Sequence, residues 1–213
     1  MKIKTLEKLQ DLLSQDMAWR KKELIDIKLF AHTTNNPLFC RMGIALLSAH
    51  FEGFIRQAAN YYIIYISDQH IKLSKLHTNF TAIIFRKNIE RCIETKNIPH
   101  HKKIVDSLLD KYNTATFKVR YSLDNPIITT DSNPSSVVFN NIVNTIGLDF
   151  AAYETKRNYI DTDLLSNRHG IVHGEKMNIN ISEFDNTLKI ILDIMEQFSN
   201  EIIDAAVNKR YLK

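Results

Sequence analysis

Apolar residues that recur every three or four positions are the feature that most constrains this chain, and they predict helices. The step persists longest between residues 38 and 67. Such spacing places one apolar stripe along a helix, whereas a strand would alternate apolar and polar residues. Only five glycines and four prolines interrupt the 213 residues, too few for the many turns of a β-sandwich. The sequence therefore predicts an all-α, up-and-down helical bundle whose central helix spans about residues 38–67.

The same spacing predicts further helices on both sides of the central one. Polar capping residues and glycines set their approximate ends, at residues 5–31, 76–97, 104–112 and 135–146. A long C-terminal helix is expected to begin at Ser182. Its apolar residues step by four and three, which suits packing within the chain or against a partner, and we favour packing within the chain.

Two stretches are expected to lie outside helices. The adjacent histidines after Pro99 predict an exposed basic turn at residues 99–103. Residues 113–136 are rich in Thr, Ser, Asn, Asp and Pro and lack helical periodicity, so they predict a long irregular insert. Short strand pieces are expected within it at 117–121 and 127–130.

Composition favours one domain over residues 1–213, made of an N-terminal helix and turn (1–36) and a core (38–213). Hydrophobic residues make up 44% of the chain and charged residues 24%, which is ordinary for a folded protein. No linker rich in Gly, Pro or Ser divides the chain.

Charge and cysteine content favour a cytoplasmic protein with no membrane span. The first residues are charged and amphipathic, unlike a signal peptide, and no apolar run is expected to be long enough to cross a bilayer. Cys40 and Cys92 are the only cysteines, so we expect reduced thiols and neither a disulfide framework nor a cysteine zinc site. The net charge of +4 is mildly attractive to polyanions. Within the first helix, Arg20, Lys21 and Lys22 are a candidate RNA contact or simply a solvated face.

Charge, imidazole and glycine crowd together without an evident folding reason at one place, between Asn167 and Glu175, in the order Asn-Arg-His-Gly-Ile-Val-His-Gly-Glu. Asp161 and the two residues after it offer an N-cap for a short helix, and Gly174 offers a left-handed stop. Leu164, Leu165, Ile171 and Val172 are expected to turn that helix towards the core. The cluster should therefore lie on its last turns.

Three interpretations of the cluster remain open from the residues alone. In the first, Arg168 pairs with a carboxylate and the histidines are satisfied polar residues. In the second, His169, His173 and Glu175 bind a metal, because residues four apart share a helical face. In the third, the cluster cleaves RNA without a metal or other cofactor, and arginine stabilises the phosphorane while histidine transfers protons.

The spacing of Arg168 and His173 bears on the third interpretation. Positions five apart on an α-helix diverge by about 140°, so the two side chains would point apart in a single chain. A symmetric dimer would bring two copies together across one cleft.

Upstream, Glu52 interrupts the apolar pattern of the central helix. It is expected either to orient Arg168 or a histidine, or to pair with Arg56 on its own helix, with the second slightly favoured.

The segment from Arg168 to His173 resembles the motif of the HEPN superfamily (higher eukaryotes and prokaryotes nucleotide-binding domains), an arginine followed after four to six residues by histidine. The lead Ile160–Leu165 and the final long helix fit the same resemblance. The segment from Ala49 to Phe54 is similar to the bacterial MAE-like branch.

This resemblance implies a helical domain that dimerises through its motif helices, with RNase activity of the kind found in toxin–antitoxin and defence systems. Arg168 and His173 would be the catalytic pair, with His169, Asn167, Glu175 and Glu52 in support. The implied partners are RNA, a second copy of the chain and an antitoxin protein. The alternative is a non-catalytic module that binds RNA or a nucleotide, or that serves dimerisation.

Overall fold

The computed structural model describes residues 1–122, 124–130 and 133–213, in which the regular elements are helices and no strand occurs. The prediction of an all-α bundle is confirmed, and the strand pieces predicted at 117–121 and 127–130 are wrong for the described residues. The α-helices are α1 (Leu6–Thr34), α2 (Pro37–Asp68), α3 (Thr78–Ile93), α4 (Ile98–Thr114), α5 (Ser136–Thr145), α6 (Asn167–Val172) and α7 (Ile181–Val207).

Helix α2 is the centre of the bundle and packs against both α1 and α7. Asn36 caps α2 by accepting from Leu38 N at 3.0 Å, and Pro37 starts it. By length and composition alone α2 could cross a membrane, contrary to the expectation from the sequence, but half of its most apolar stretch is buried inside the fold. Core helices of folded domains have the same character.

Helix α7 closes the core on the other side of α2. It begins at Ile181, one residue before the predicted start, because Asn180 and Glu183 form a capping box. The apolar stripe is buried within the chain, as favoured from the sequence: Phe184, Leu188, Ile191, Met195, Phe198 and Ile202.

The predicted basic turn at residues 99–103 is wrong, because these residues form the first turns of α4. Asn97 caps the helix by accepting from His100 N at 3.2 Å, and Pro99 fits the first turn, where no amide donor is needed. His101 Nε2 lies 3.0 Å from Cys92 O and 2.8 Å from Thr95 O. The histidine therefore ties α4 to the end of α3.

Polar side chains of α2 hold the segment between α4 and α5, within the predicted insert. The buried Asn60 accepts from Ile127 N and Ile128 N at 3.0 and 3.1 Å and donates to Ile128 O at 3.1 Å. Ser67 Oγ accepts from Val119 N at 3.1 Å. The part of the predicted insert at residues 123 and 131–132 lies outside the described residues. The rest is irregular as predicted, except at its ends, where α4 and α5 extend into it.

Candidate functional site

The helix that carries the polar cluster starts earlier than its sequence predicts. A π-helical segment, Tyr159–Ser166, runs without interruption into α6. Asp161 lies inside this segment and does not cap it. Its carboxylate instead accepts from Ser136 N at 2.7 Å and from Ser136 Oγ at 2.6 Å. The predicted cap is therefore wrong, because Asp161 caps a different helix, α5, 25 residues away in sequence.

The end of α6 agrees with its prediction, because Gly174 is in the left-handed region at φ 78°. Gly174 N donates to Ile171 O at 3.2 Å, and Glu175 N donates to Gly170 O at 2.8 Å. These two bonds form a Schellman motif, which satisfies the last carbonyls of the helix. His173 immediately precedes this turn, so its backbone is fixed by it.

Gly170 lets the chain after α6 fold back onto the helix. Gly170 is buried, and a Cβ at this position would lie 2.7 Å from Met177 Sδ and 3.2 Å from Glu175 Oε2. The approach is closer than two such atoms tolerate, so the space left by glycine is occupied by Met177. This contact packs the segment that follows α6 against the helix.

His169 and His173 are both exposed and lie side by side. Their ring centroids are 6.1 Å apart and the planes differ by 19°. Residues four apart on a helix share a face, and here that face is open to solvent. Val172 is also 59% exposed, which corrects the prediction that it packs on the core; Leu164 and Leu165 are buried as predicted.

Arg168 is partly exposed and forms no ion pair or hydrogen bond within the described part of the chain. The carboxylate partner required by the structural interpretation of the cluster is therefore absent among these residues. Asn167 has a local role, since its Nδ2 donates to Asp163 O at 2.9 Å. The side chain of Asn167 is therefore bonded to the backbone of its own helix, whereas the guanidinium of Arg168 has no bonded partner among the described residues.

Arg41 of α2 adjoins the cluster, which its sequence position does not predict. Its Nη2 donates to Glu175 O at 3.0 Å, so the N-terminal part of α2 lies beside the end of α6. The carboxylate of Glu175 is near Gly170, and the described residues contain no group of three or more His, Cys, Asp or Glu side chains arranged to hold a metal ion. His169, His173 and Glu175 therefore do not form the three-ligand site of the metal interpretation. In the sequence, the one sign that Arg41 could belong to the site is that it is a lone basic residue in the apolar stretch 38–47.

Glu52 has a different partner from both predicted ones. Its Oε1 accepts from Thr130 Oγ1 at 2.6 Å, and among the described residues no ion pair joins it to Arg56 or Arg168. Glu52 lies on the same helix as Asn60 and Ser67, which bind the insert. We therefore assign Glu52 to holding the insert and correct its predicted supporting role near Arg168.

The predicted RNA contact at residues 20–22 does not form one exposed surface. Arg20 is only 8% exposed; its Nη2 lies 3.1 Å from Asp16 Oδ1, and its Nη1 donates to His50 O at 3.3 Å. Lys21 is paired with Glu196 of α7, and of the three residues only Lys22 is exposed. Arg20 is therefore a buried structural group that joins α1 to α2.

The same contact explains the small and polar residues in α2. A Cβ at Gly53 would lie 2.7 Å from Arg20 Nη1, so glycine makes room for the guanidinium. Burial lowers the pKa of His50, and the charge of Arg20 lowers it further. Glu23 opposes both effects, with Oε2 3.0 Å from His50 Nε2. Packing against α1 thus accounts for His50 and Gly53 without a role in chemistry.

Comparison with protein families supports the resemblance drawn from the sequence. The model described as RiboL-PSP-HEPN matches residues 15–204, which include α6 and its histidines. No curated protein and no solved structure matches the chain. The assignment to an MAE-like branch stays a prediction. Because the match covers nearly the whole bundle, the chain belongs to the RiboL-PSP-HEPN family of the HEPN superfamily.

Proposed function

We propose that the protein is a cytoplasmic, metal-independent endoribonuclease that acts as a homodimer, as a toxin or defence effector. Membership in an HEPN family supports a nuclease or RNA-binding role. The observation that carries the finer proposal is an arginine without an ion-pair partner among the described residues, on the helix that presents two parallel, exposed imidazoles.

The proposed reaction is attack of a ribose 2′-hydroxyl on the adjacent phosphodiester. His173 of one copy accepts the proton of the 2′-hydroxyl, and the oxygen forms a new bond to phosphorus. The bond to the 5′-oxygen breaks, and the imidazolium of the second copy protonates this leaving group. Arg168 stabilises the negative phosphorane, because its guanidinium stays charged and can bridge two oxygens. His169 and Asn167 support the pair at the helix surface, and Glu175 fixes the turn behind His173.

The dimer supplies what one copy lacks. Positions five apart on a helix diverge by about 140°, so the side chains of Arg168 and His173 are expected to point apart in one copy. A twofold axis through this region would place both pairs in one cleft. Exposed apolar side chains lie on α6 and on the first turns of α2: Leu38 is 52% exposed, Met42 49% and Val172 59%. Leu38 and Met42 are on the turns of α2 that also carry Arg41, whose guanidinium contacts the end of α6. This apolar surface would bury well against its own copy, since such patches mark interaction sites.

A non-catalytic module that binds RNA is the second candidate function. A basic cleft remote in sequence from Arg168 and His173 favours it, because binding there needs no chemistry. Under this alternative RNA is retained intact.

The nature of the RNA ends tests the proposal. Purified protein, incubated with single-stranded RNA in the presence of EDTA, is expected to yield fragments with 2′,3′-cyclic phosphate and 5′-hydroxyl ends, because the attacking oxygen belongs to the RNA itself. Mass spectrometry of the fragments distinguishes these ends from 3′-hydroxyl and 5′-phosphate ends. The latter pair, or activity lost with EDTA and restored by a divalent cation, would contradict the mechanism; intact RNA that stays bound on a filter would support the binding module.

A further inference from the structure

A cleft of about 1190 Å³ opens between α3, residues 118–120 and 125–129, and α5. We propose that this cleft binds a single-stranded segment of RNA. The inference rests on the proposed function, which supplies the substrate class, but it concerns a surface that contains none of the residues of the Arg168–His173 cluster. Its lining includes four basic and several amide and apolar side chains.

The cations stand on two walls of the cleft. Arg86 and Lys87 come from α3, and Lys118 and Arg120 come from the insert. All four are exposed. Arg86 Nε is paired with Glu90 Oε1 at 2.9 Å; the other three form no ion pair with any described residue. Four exposed cations in one cleft, three of them without an ion pair among the described residues, suit a polyanion bound within it.

The floor of the cleft is apolar and its edges carry amides. Ile83, Ile127 and Ile142 lie among the lining residues, with Asn125 and Asn141 at the more exposed positions. Unstacked bases need an apolar surface together with donors and acceptors for their Watson–Crick edges. An acidic peptide could pair with the cations, but it has no bases to pack on the apolar surface and to bond with the amides.

The walls are preformed, since both are bonded to the bundle. Asn60 of α2 holds Ile127 and Ile128 through three hydrogen bonds. On the other side, Asn79 Nδ2 of α3 donates to Thr145 O of α5 at 2.8 Å. A cleft of fixed shape loses less conformational entropy on binding than a mobile one.

The volume of the cleft favours an RNA strand over a free nucleotide as its ligand. Pockets for single small ligands usually enclose roughly 300–1,000 Å³, and this cleft is both larger and open. The wall formed by α5 is also joined to the active helix, because Ser136 at the start of α5 binds Asp161. Asp161 precedes Arg168 by seven residues on the same uninterrupted helical segment. A strand held in the cleft can therefore belong to the same RNA that reaches α6.

The test measures binding of an RNA that cannot be cleaved. A fluorescent 2′-O-methyl oligouridylate of 12 nucleotides lacks the attacking hydroxyl, so its affinity is independent of catalysis. Removing two cations in Lys118→Ala/Arg120→Ala is expected to weaken binding at least 10-fold at low salt, and to reduce the slope of log K against log salt by about 1.4. The matched control, Lys2→Ala/Lys8→Ala, loses the same charge at exposed positions on the N-terminal part of the chain.

Each outcome decides between the hypotheses. If the two double variants bind the oligonucleotide equally, the cleft does not bind RNA, whereas the proposed nuclease can still be correct. If the cleft variant loses binding but the unaltered protein does not cut RNA, the cleft proposal stands and the nuclease proposal fails. Uridine monophosphate is the third probe: if it binds in the cleft at micromolar concentration and the oligonucleotide does not, the cleft is a nucleotide site and the inference is wrong.

Discussion

His173→Ala is expected to lower the rate of RNA cleavage by about 10²- to 10⁴-fold, the range associated with loss of a proton-transferring side chain. The effect should be this large because both copies of the imidazole would be lost from each dimer, one as base and one as acid. His173 is exposed and its backbone is set by Gly174, so alanine should leave the fold unchanged. Initial rates with a fluorogenic RNA, with circular dichroism for the fold, give the measurement.

His100→Ala is the matched control for this variant. His100 is also an exposed histidine, on α4, and its replacement should leave the rate at that of the unaltered protein. A His173→Ala protein that folds, dimerises and still cuts RNA at the parental rate would contradict the proposed role of His173.

Leu38→Glu is expected to convert the dimer into monomers and to abolish cleavage together with dimerisation. Leu38 is 52% exposed, one turn before Arg41, which contacts the residue after the α6 turn. An unpaired carboxylate forced against an apolar surface costs roughly 3 kcal/mol, or about 100-fold in the association constant. Sedimentation velocity at micromolar concentration measures the state, and the cleavage assay measures its consequence.

Leu109→Glu provides the comparison, since Leu109 is 61% exposed on α4, away from α2 and α6 in sequence. This variant should remain a dimer and remain active. Active Leu38→Glu monomers would show that a single copy holds a complete site, and an unchanged dimer would show that the interface lies elsewhere.

The long helices could be predicted because their apolar spacing reports directly on burial. The stripe of α7 and the continuous pattern of α2 are both buried in the core. Asn36 and Gly174 lie at helix ends, where local polar or glycine signals are strong, whereas the capping residue of α7 is Asn180 and not the predicted Ser182. Errors arose where a polar residue had a long-range partner. Asp161 has the sequence of a local cap, yet its carboxylate binds Ser136 of another helix.

Much the same limit applies to the candidate site. Local spacing was enough to place His169 and His173 on one helical face, and Gly174 at its end. The burial of Arg20 depended on Asp16 and His50, and the bond of Glu52 depended on Thr130, 78 residues later. Arg41 was missed for the same reason, because only the folded chain brings it to Glu175. Contacts between distant residues are not encoded in the spacing of either partner.

The central claim is that one catalytic cleft needs His173 from two copies, and mixing the unaltered protein with His173→Ala tests it most directly. Equal amounts are combined under conditions that exchange subunits, and cleavage is compared with that of the same total amount of unaltered protein. If the site is shared, mixed dimers are inactive and about a quarter of the activity remains, the fraction of dimers with two unaltered copies. If each chain carries a complete site, about half of the activity remains, and that result would contradict the claim.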